Sequence, residues 1–186
     1  MNSFIEFFQD IRTPIIVMHV ISVVLGMGSA LISDMLFAFF SRNKNLNSTE
    51  IKTLSILSKV VRYGLVFIIL SGVGLFLGDM TAYAHSAKFL AKMSIVIVLL
   101  VNGYVLNRYI WPHVLNGNFF TIKNNSVRRI AFACGAISVI SWLSACTLGV
   151  LKKLSLSYFL IMTIYFLILI FGILISQLVE KRQFKN

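Results

Sequence analysis

The sequence predicts an all-α integral membrane protein, a bundle of five transmembrane helices. Three observations predict this class. Of the 186 residues, 58% are hydrophobic and 12% are charged, and only two prolines interrupt the long apolar runs. The strands of a membrane β-barrel would instead alternate in polarity over short segments. The mean hydropathy of +0.88 also excludes an ordinary soluble domain.

Five apolar runs follow a short amphipathic lead-in over residues 1–13. Thr13 and Pro14 are typical of a helix start. Asn47 and Glu50 match a capping box, so the second helix is expected to begin before its apolar part. Pro112 is expected to stop the third helix. The predicted spans are about 14–40, 56–77, 89–111, 129–151 and 156–179, in a single domain over 1–186.

The net charge of +11 indicates how the chain is oriented in the membrane and does not indicate nucleic-acid binding. Twelve of the 17 Lys and Arg residues fall on one side of the predicted bundle. Basic residues are concentrated in cytoplasmic loops of membrane proteins. The N-terminus is therefore expected outside and the C-terminus in the cytoplasm. The predicted location is the bacterial inner membrane.

Polar residues within spans one and three are the candidates for function. His19 and Asp34 are fifteen residues apart in span one, as are Lys92 and Asn107 in span three. Both spans are expected to run from outside to inside. His19 and Lys92 should then share a depth near the outer leaflet, and Asp34 and Asn107 one near the inner leaflet. Ionisable groups at membrane depth usually face the bundle interior and a partner.

The inner of these two layers favours a structural ion pair. Asp34 is expected to pair with Lys59 or Arg62, with Asn107 in the same layer. Breaking one partner of a pair that is excluded from water costs roughly 3–5 kcal/mol. A proton or ion path through the inner layer is the alternative.

The outer layer indicates a cofactor or substrate pocket. Its predicted walls are His19, Lys92, Ser71, Ser141 and Trp142. A neutral imidazole is a common haem-iron ligand, and a nearby cation can hold a haem propionate. The alternative is structural: Lys92 extends to the outer headgroups, and His19 bonds to Ser22 or to a facing serine.

A second axial ligand to a haem iron is not fixed by the sequence. His113 is expected on the opposite side from His19, so the two cannot ligate one haem. His85 lies in a predicted outer loop and is the histidine that could join His19. The methionines near His19 and Lys92 are further candidates: Met18, Met27 and Met93.

The placement of a histidine early in span one and a lysine early in span three resembles the HemJ-type protoporphyrinogen oxidases. The relevant segments are His19, followed by small residues, and the run Lys88–Leu100, which contains Lys92. The chain is also similar, more loosely, to CopD-like haem membrane proteins. The resemblance covers about 100 residues, in spans one to three. Two tryptophans of the family are absent, one after the first-span histidine and one before the lysine, where residues 89–91 are Phe, Leu and Ala.

This resemblance implies a protein that binds haem b and oxidises protoporphyrinogen IX to protoporphyrin IX. His19 would be the axial metal ligand or catalytic base, and Lys92 a catalytic residue that binds an anionic group. The predicted function is a haem b-associated membrane oxidoreductase. Its partners would be the lipid bilayer and a haem or porphyrin, with a homo-oligomer left open. The alternative is a non-enzymatic transport or assembly component, in which His19 and Lys92 only hold helices together.

Overall fold

A computed structural model describes residues 2–41, 46–115, 125–151 and 154–184. All regular secondary structure in these ranges is helical. Five helices are long and apolar enough to cross a membrane, as expected of an integral membrane protein. We call them spans one to five: Arg12–Phe40, Ser48–Gly78, Ala87–Leu115, Asn125–Val150 and Tyr158–Phe184. Shorter helices cover Asn2–Asp10 and Met80–Ala84.

The capping box that was predicted for span two is present. The Asn47 side chain accepts a hydrogen bond from the Glu50 backbone N–H at 2.8 Å. The Asn47 backbone N–H donates to the Glu50 carboxylate at 2.9 Å. Span two therefore starts well before its apolar part, as the sequence indicated. Several predicted loop and tail charges lie outside the described residues: Arg42, Lys44, Lys123, Lys152, Lys153 and Lys185.

Span three does not stop before Pro112, so that prediction is wrong. The helix continues from Trp111 to Leu115 after a π-helical turn over Leu106–Ile110. A proline has no N–H to donate and crowds the carbonyl one turn earlier. The wider π-helical turn comes directly before this point, and local changes of helix type are a known way to accommodate a proline.

Spans one and two form a tight helical hairpin. A Cβ atom added at Gly64 would lie 2.8 Å from the Gly26 Cα. A Cβ at Gly26 would lie 2.8 Å from Cη2 of Trp142 in span four. The stripe of small residues in span one therefore packs on two neighbours at once, which is the usual role of small residues between membrane helices. The lead-in helix covers the hairpin's end, where Gln9 Nε2 donates to the Gly78 carbonyl at 3.2 Å.

Spans three, four and five form the second part of the bundle. Span four contacts spans one, three and five. Its contact with spans three and five is an apolar core built from Ala91, Ile95, Leu148, Ile161, Met162, Tyr165 and Leu169. Most of the large exposed hydrophobic side chains lie on the five spans, where they can face lipid. We call the side of the bundle where span one begins the His19 side, and the opposite side the Asp34 side.

Candidate functional site

A cavity of about 610 Å³ lies between the span one–span two hairpin and spans three and four, on the His19 side. Its polar lining includes His19 and Lys92, and most of the remaining wall is apolar. This volume is within the range of about 300–1,000 Å³ that small-molecule sites occupy. We call it the His19 cavity. The apolar walls include Val20, Val24, Met27, Ile69, Val73, Met93 and Val96.

His19 is held in one orientation by span two. Its Nδ1 lies 2.8 Å from the Ser71 hydroxyl oxygen. Ser71 in turn donates its hydroxyl hydrogen to the Phe67 carbonyl at 2.5 Å. Because that hydrogen is already used, Ser71 accepts from an Nδ1–H of the imidazole. The neutral ring then carries its lone pair on Nε2. Such a hydrogen bond on the other ring nitrogen is how proteins orient histidine ligands.

Lys92 brings a positive charge to the same cavity. Its side chain is partly exposed, and none of the described residues that line the cavity is an aspartate or glutamate. The nearby Lys88 is engaged elsewhere, since its ammonium group donates to the Leu151 carbonyl at 2.5 Å. The cavity therefore contains a cation that its own walls do not neutralise, which favours an anionic group on a ligand.

Aromatic rings line the cavity near the short helix Met80–Ala84. Phe76 of span two and Phe89 of span three stack with ring centroids 5.5 Å apart and planes 11° apart. Tyr83 lies against Phe89 with centroids 5.2 Å apart. Rings of this kind exclude water and give a flat apolar surface.

The floor of the cavity is a buried apolar cluster. Trp142, at 3% exposure, is its largest member. The other buried members are Ala30, Leu65, Ile68 and Leu99. We call this set the Trp142 cluster. It separates the His19 cavity from the other half of the bundle.

The five residues predicted to wall the outer pocket divide into three groups. His19, Lys92 and Trp142 line the cavity together. Ser71 is fully buried behind His19 and acts on the cavity through it. Ser141 does not reach the cavity, because its hydroxyl bonds to that of Tyr165 in span five at 2.8 Å. Ser141 and Trp142 are adjacent and so point about 100° apart on the helix.

The ion pair predicted for Asp34 is not formed among the described residues. Lys59, Arg62 and Asn107 are all exposed, and the described ion pair joins Arg128 to Glu180 at 2.5 Å. The Ser138 hydroxyl of span four instead lies close to the Asp34 carboxylate.

The equal spacing that placed Asn107 beside Asp34 fails for a geometric reason. Ala30 and Leu99 pack in one cluster. Ala30 is eleven residues after His19 in span one, whereas Leu99 is seven residues after Lys92 in span three. The difference of four residues shifts the register by ~6 Å. Asn102 therefore occupies the layer that was assigned to Asn107. A sequence signal for it existed: Ala91, Ile95, Leu99 and Asn102 form one helical stripe, and all four are buried.

The lining of the His19 cavity also distinguishes among the other candidate iron ligands. Met27 and Met93 line the cavity, whereas Met18 does not. His85 is exposed and is not among the lining residues. Nδ1 of His113 lies 2.8 Å from the Tyr109 carbonyl, at the Asp34 end of span three. Within the described ranges, no group of three or more His, Cys, Asp or Glu side chains is arranged to hold a metal ion.

Comparison with known proteins finds no matching family model, no matching curated protein and no matching solved structure. The case for a function therefore depends on the chain's own residues.

Proposed function

We propose that the protein binds one haem b in the His19 cavity and acts as a redox-active membrane protein. His19 would ligate the iron through Nε2, and Lys92 would bind a propionate. The observation that carries the proposal is the His19–Ser71 hydrogen bond, because it leaves the Nε2 lone pair unused in an apolar cavity that also holds a cation.

The residues fit a tetrapyrrole in three respects. The lining has a single imidazole ligand, and Met27 and Met93 are available as a second ligand. The walls are largely apolar and include the flat rings of Phe76, Phe89 and Trp142. Lys92 supplies the positive charge that a carboxylate requires.

Each part of the site would have a distinct role in redox chemistry. Haem b, when bound, supplies one-electron chemistry. Ser71 fixes the imidazole, and the Phe76–Phe89 stack and Trp142 exclude water from the cavity. Lys92 would likewise hold a carboxylate of a porphyrin substrate. The charge asymmetry of the loops favours an outer-leaflet position for this cavity in a bacterial inner membrane.

The test is an absorption spectrum of the detergent-purified protein, oxidised and reduced, with and without added haem. We expect a Soret band that shifts on reduction. His19→Ala should lose essentially all bound haem. His85→Ala, the matched control, should retain it because His85 is exposed and outside the cavity. Absence of a Soret band after haem supplementation would refute the proposal, and full haem content in His19→Ala would refute the ligand assignment.

A non-enzymatic transport or assembly component is the second candidate function. The same His19–Ser71 hydrogen bond favours it, since the bond joins spans one and two without any ligand. In that case His19→Ala and Lys92→Met would lower the unfolding temperature and leave every spectrum unchanged.

A further inference from the structure

A second polar group lies on the Asp34 side of the Trp142 cluster, and the proposed haem site does not use it. The Ser138 hydroxyl lies close to the Asp34 carboxylate, whose Oδ2 is buried with no hydrogen-bond partner in the described part of the chain. Asn102, at 6% exposure, donates from Nδ2 to the Cys134 carbonyl at 3.0 Å. Its Oδ1 is likewise buried without a described partner. Two buried acceptors, Asp34 Oδ2 and Asn102 Oδ1, thus lack a described donor, and both residues lie beside the same turn of span four.

The side chains of Asp34, Asn102 and Ser138 belong to one layer of the bundle. Asp34 and Ser138 are in contact, and Asn102 bonds to the same turn of span four. Each lies about one helical turn from a member of the Trp142 cluster on its own span. Those members are Ala30, Leu99 and Trp142. We call the three polar residues the Asp34 layer.

Apolar clusters close the Asp34 layer on both sides. The Trp142 cluster separates it from the His19 cavity. On the other side is a cluster with Ile110, Val114 and Ala131 at its centre, and Phe37 and Leu106 packed against it. The Asp34 carboxyl group, with its buried Oδ2, therefore lies between two apolar layers in the half of the bundle away from the cavity.

A carboxylate in such a place must be neutralised, because an isolated buried charge is very costly. Lys59 and Arg62, the partners that the sequence predicted for Asp34, are exposed and form no described ion pair with it. The titratable group that faces Asp34 from span four is the Cys134 thiol, and span three contributes the neutral Asn102. Neither supplies a positive charge.

A proton neutralises this site better than a metal ion does. Calcium takes six to eight oxygen ligands, and magnesium requires near-octahedral geometry. The layer offers the side-chain oxygens of three residues. A proton on the Asp34 Oδ2 converts an unpaired acceptor into a donor, and the unpaired Oδ1 of Asn102 is an acceptor in the same layer.

Span three offers a route for the proton to exchange. The π-helical turn Leu106–Ile110 begins four residues after Asn102 and contributes Leu106 and Ile110 to the apolar cluster on this side of the layer. Single π-helical turns are frequent at functional sites and mark departures from regular helix hydrogen bonding. Movement of this turn would open the cluster and connect Asp34 with water on its own side.

We propose that the Asp34 layer is a proton-binding site, in which the Asp34 carboxylate takes up one exchangeable proton from water on the Asp34 side to form a neutral carboxylic acid. The site is separate from the His19 cavity, so its failure would leave the haem proposal unaffected.

Infrared spectroscopy of the full-length protein in lipid at neutral pH tests the proposal. The wild type should show a carboxylic acid C=O band that shifts in deuterated buffer and is lost in Asp34→Asn. Glu50→Gln, which removes the carboxylate of the capping box at the start of span two, should leave the band unchanged. Asn102→Leu should move the band, since it removes the acceptor in the layer.

Thermal unfolding gives an independent measurement. Asp34→Asn replaces a neutral acid by a neutral amide of similar shape, so its unfolding temperature should equal or exceed that of the wild type. The Soret band of the haem-loaded protein should not change. Absence of the acid band at neutral pH, a band that does not exchange, or a marked loss of stability in Asp34→Asn would each overturn the proposal.

Discussion

His19 and Asp34 lie on the same span, and their surroundings differ in a way that separates two kinds of intramembrane polar site. His19 is anchored by Ser71 and faces a cavity that also contains Lys92. Asp34 lies between two apolar clusters, and its buried Oδ2 has no hydrogen-bond partner among the described residues. The first arrangement suits a ligand of considerable size, and the second, as we propose, binds a proton.

Arg128 and Glu180 extend this comparison to a third polar site. Glu180 is 2% exposed, yet its carboxylate is fully compensated by a hydrogen-bonded ion pair with Arg128. The guanidinium also lies 4.2 Å from the centre of the Phe184 ring. Two acids with buried carboxylate oxygens on the same side of the bundle are thus neutralised differently, one by a cation and one, as we propose, by a proton.

The largest expected effect is therefore at Glu180. Glu180→Gln removes the charge that compensates Arg128, and loss of one partner of a buried pair costs roughly 3–5 kcal/mol. Unfolding in detergent, followed by circular dichroism, should show this loss. Lys181→Gln, next to it and exposed, is the control and should change little. If Asp34→Asn proved as destabilising as Glu180→Gln, the two acids would not be neutralised differently.

A smaller effect is expected at the close contact between Gly26 of span one and Gly64 of span two. Gly64→Ala puts a methyl group 2.8 Å from Gly26 Cα, a backbone atom that cannot move aside alone. Overpacking of this kind costs typically about 1–3 kcal/mol. Gly28→Ala is the matched control, because a Cβ there has nothing within 4 Å. Equal unfolding temperatures for the two variants would contradict the close packing of the hairpin.

Much of the fold could be predicted from the sequence, because membrane helices are specified by length and apolarity. All five apolar runs became helices. The end of span three was predicted less well, since a proline rule developed for regular α-helices does not foresee the π-helical turn at Leu106–Ile110. The corresponding error was to read Pro112 as a stop.

The candidate site could be predicted in part. His19 and Trp142 come together because Gly26 of span one packs directly on Trp142, and Lys92 of span three lines the same cavity. The partners of Asp34 could not be predicted, because counting equal spacings ignores the shift between spans one and three. Lys59 and Arg62 were plausible by charge, but their long side chains remain exposed. The stripe that contains Leu99 and Asn102 indicates that Asn102 is buried, and the packing of Leu99 with Ala30 in one cluster places Asn102 in the layer of Asp34.

The smallest expected effect concerns how His19 is oriented. Ser71→Ala removes the acceptor of its Nδ1–H, and loss of such a supporting hydrogen bond typically lowers ligand affinity about 10–100-fold. Haem titration of the purified variant measures this change. Ser22→Ala is the control: its hydroxyl donates to the Met18 carbonyl of its own helix at 2.7 Å, and not to His19. Unchanged affinity in Ser71→Ala would show that the imidazole is oriented by its cavity alone, and a loss in Ser22→Ala as large as in Ser71→Ala would favour a purely structural histidine.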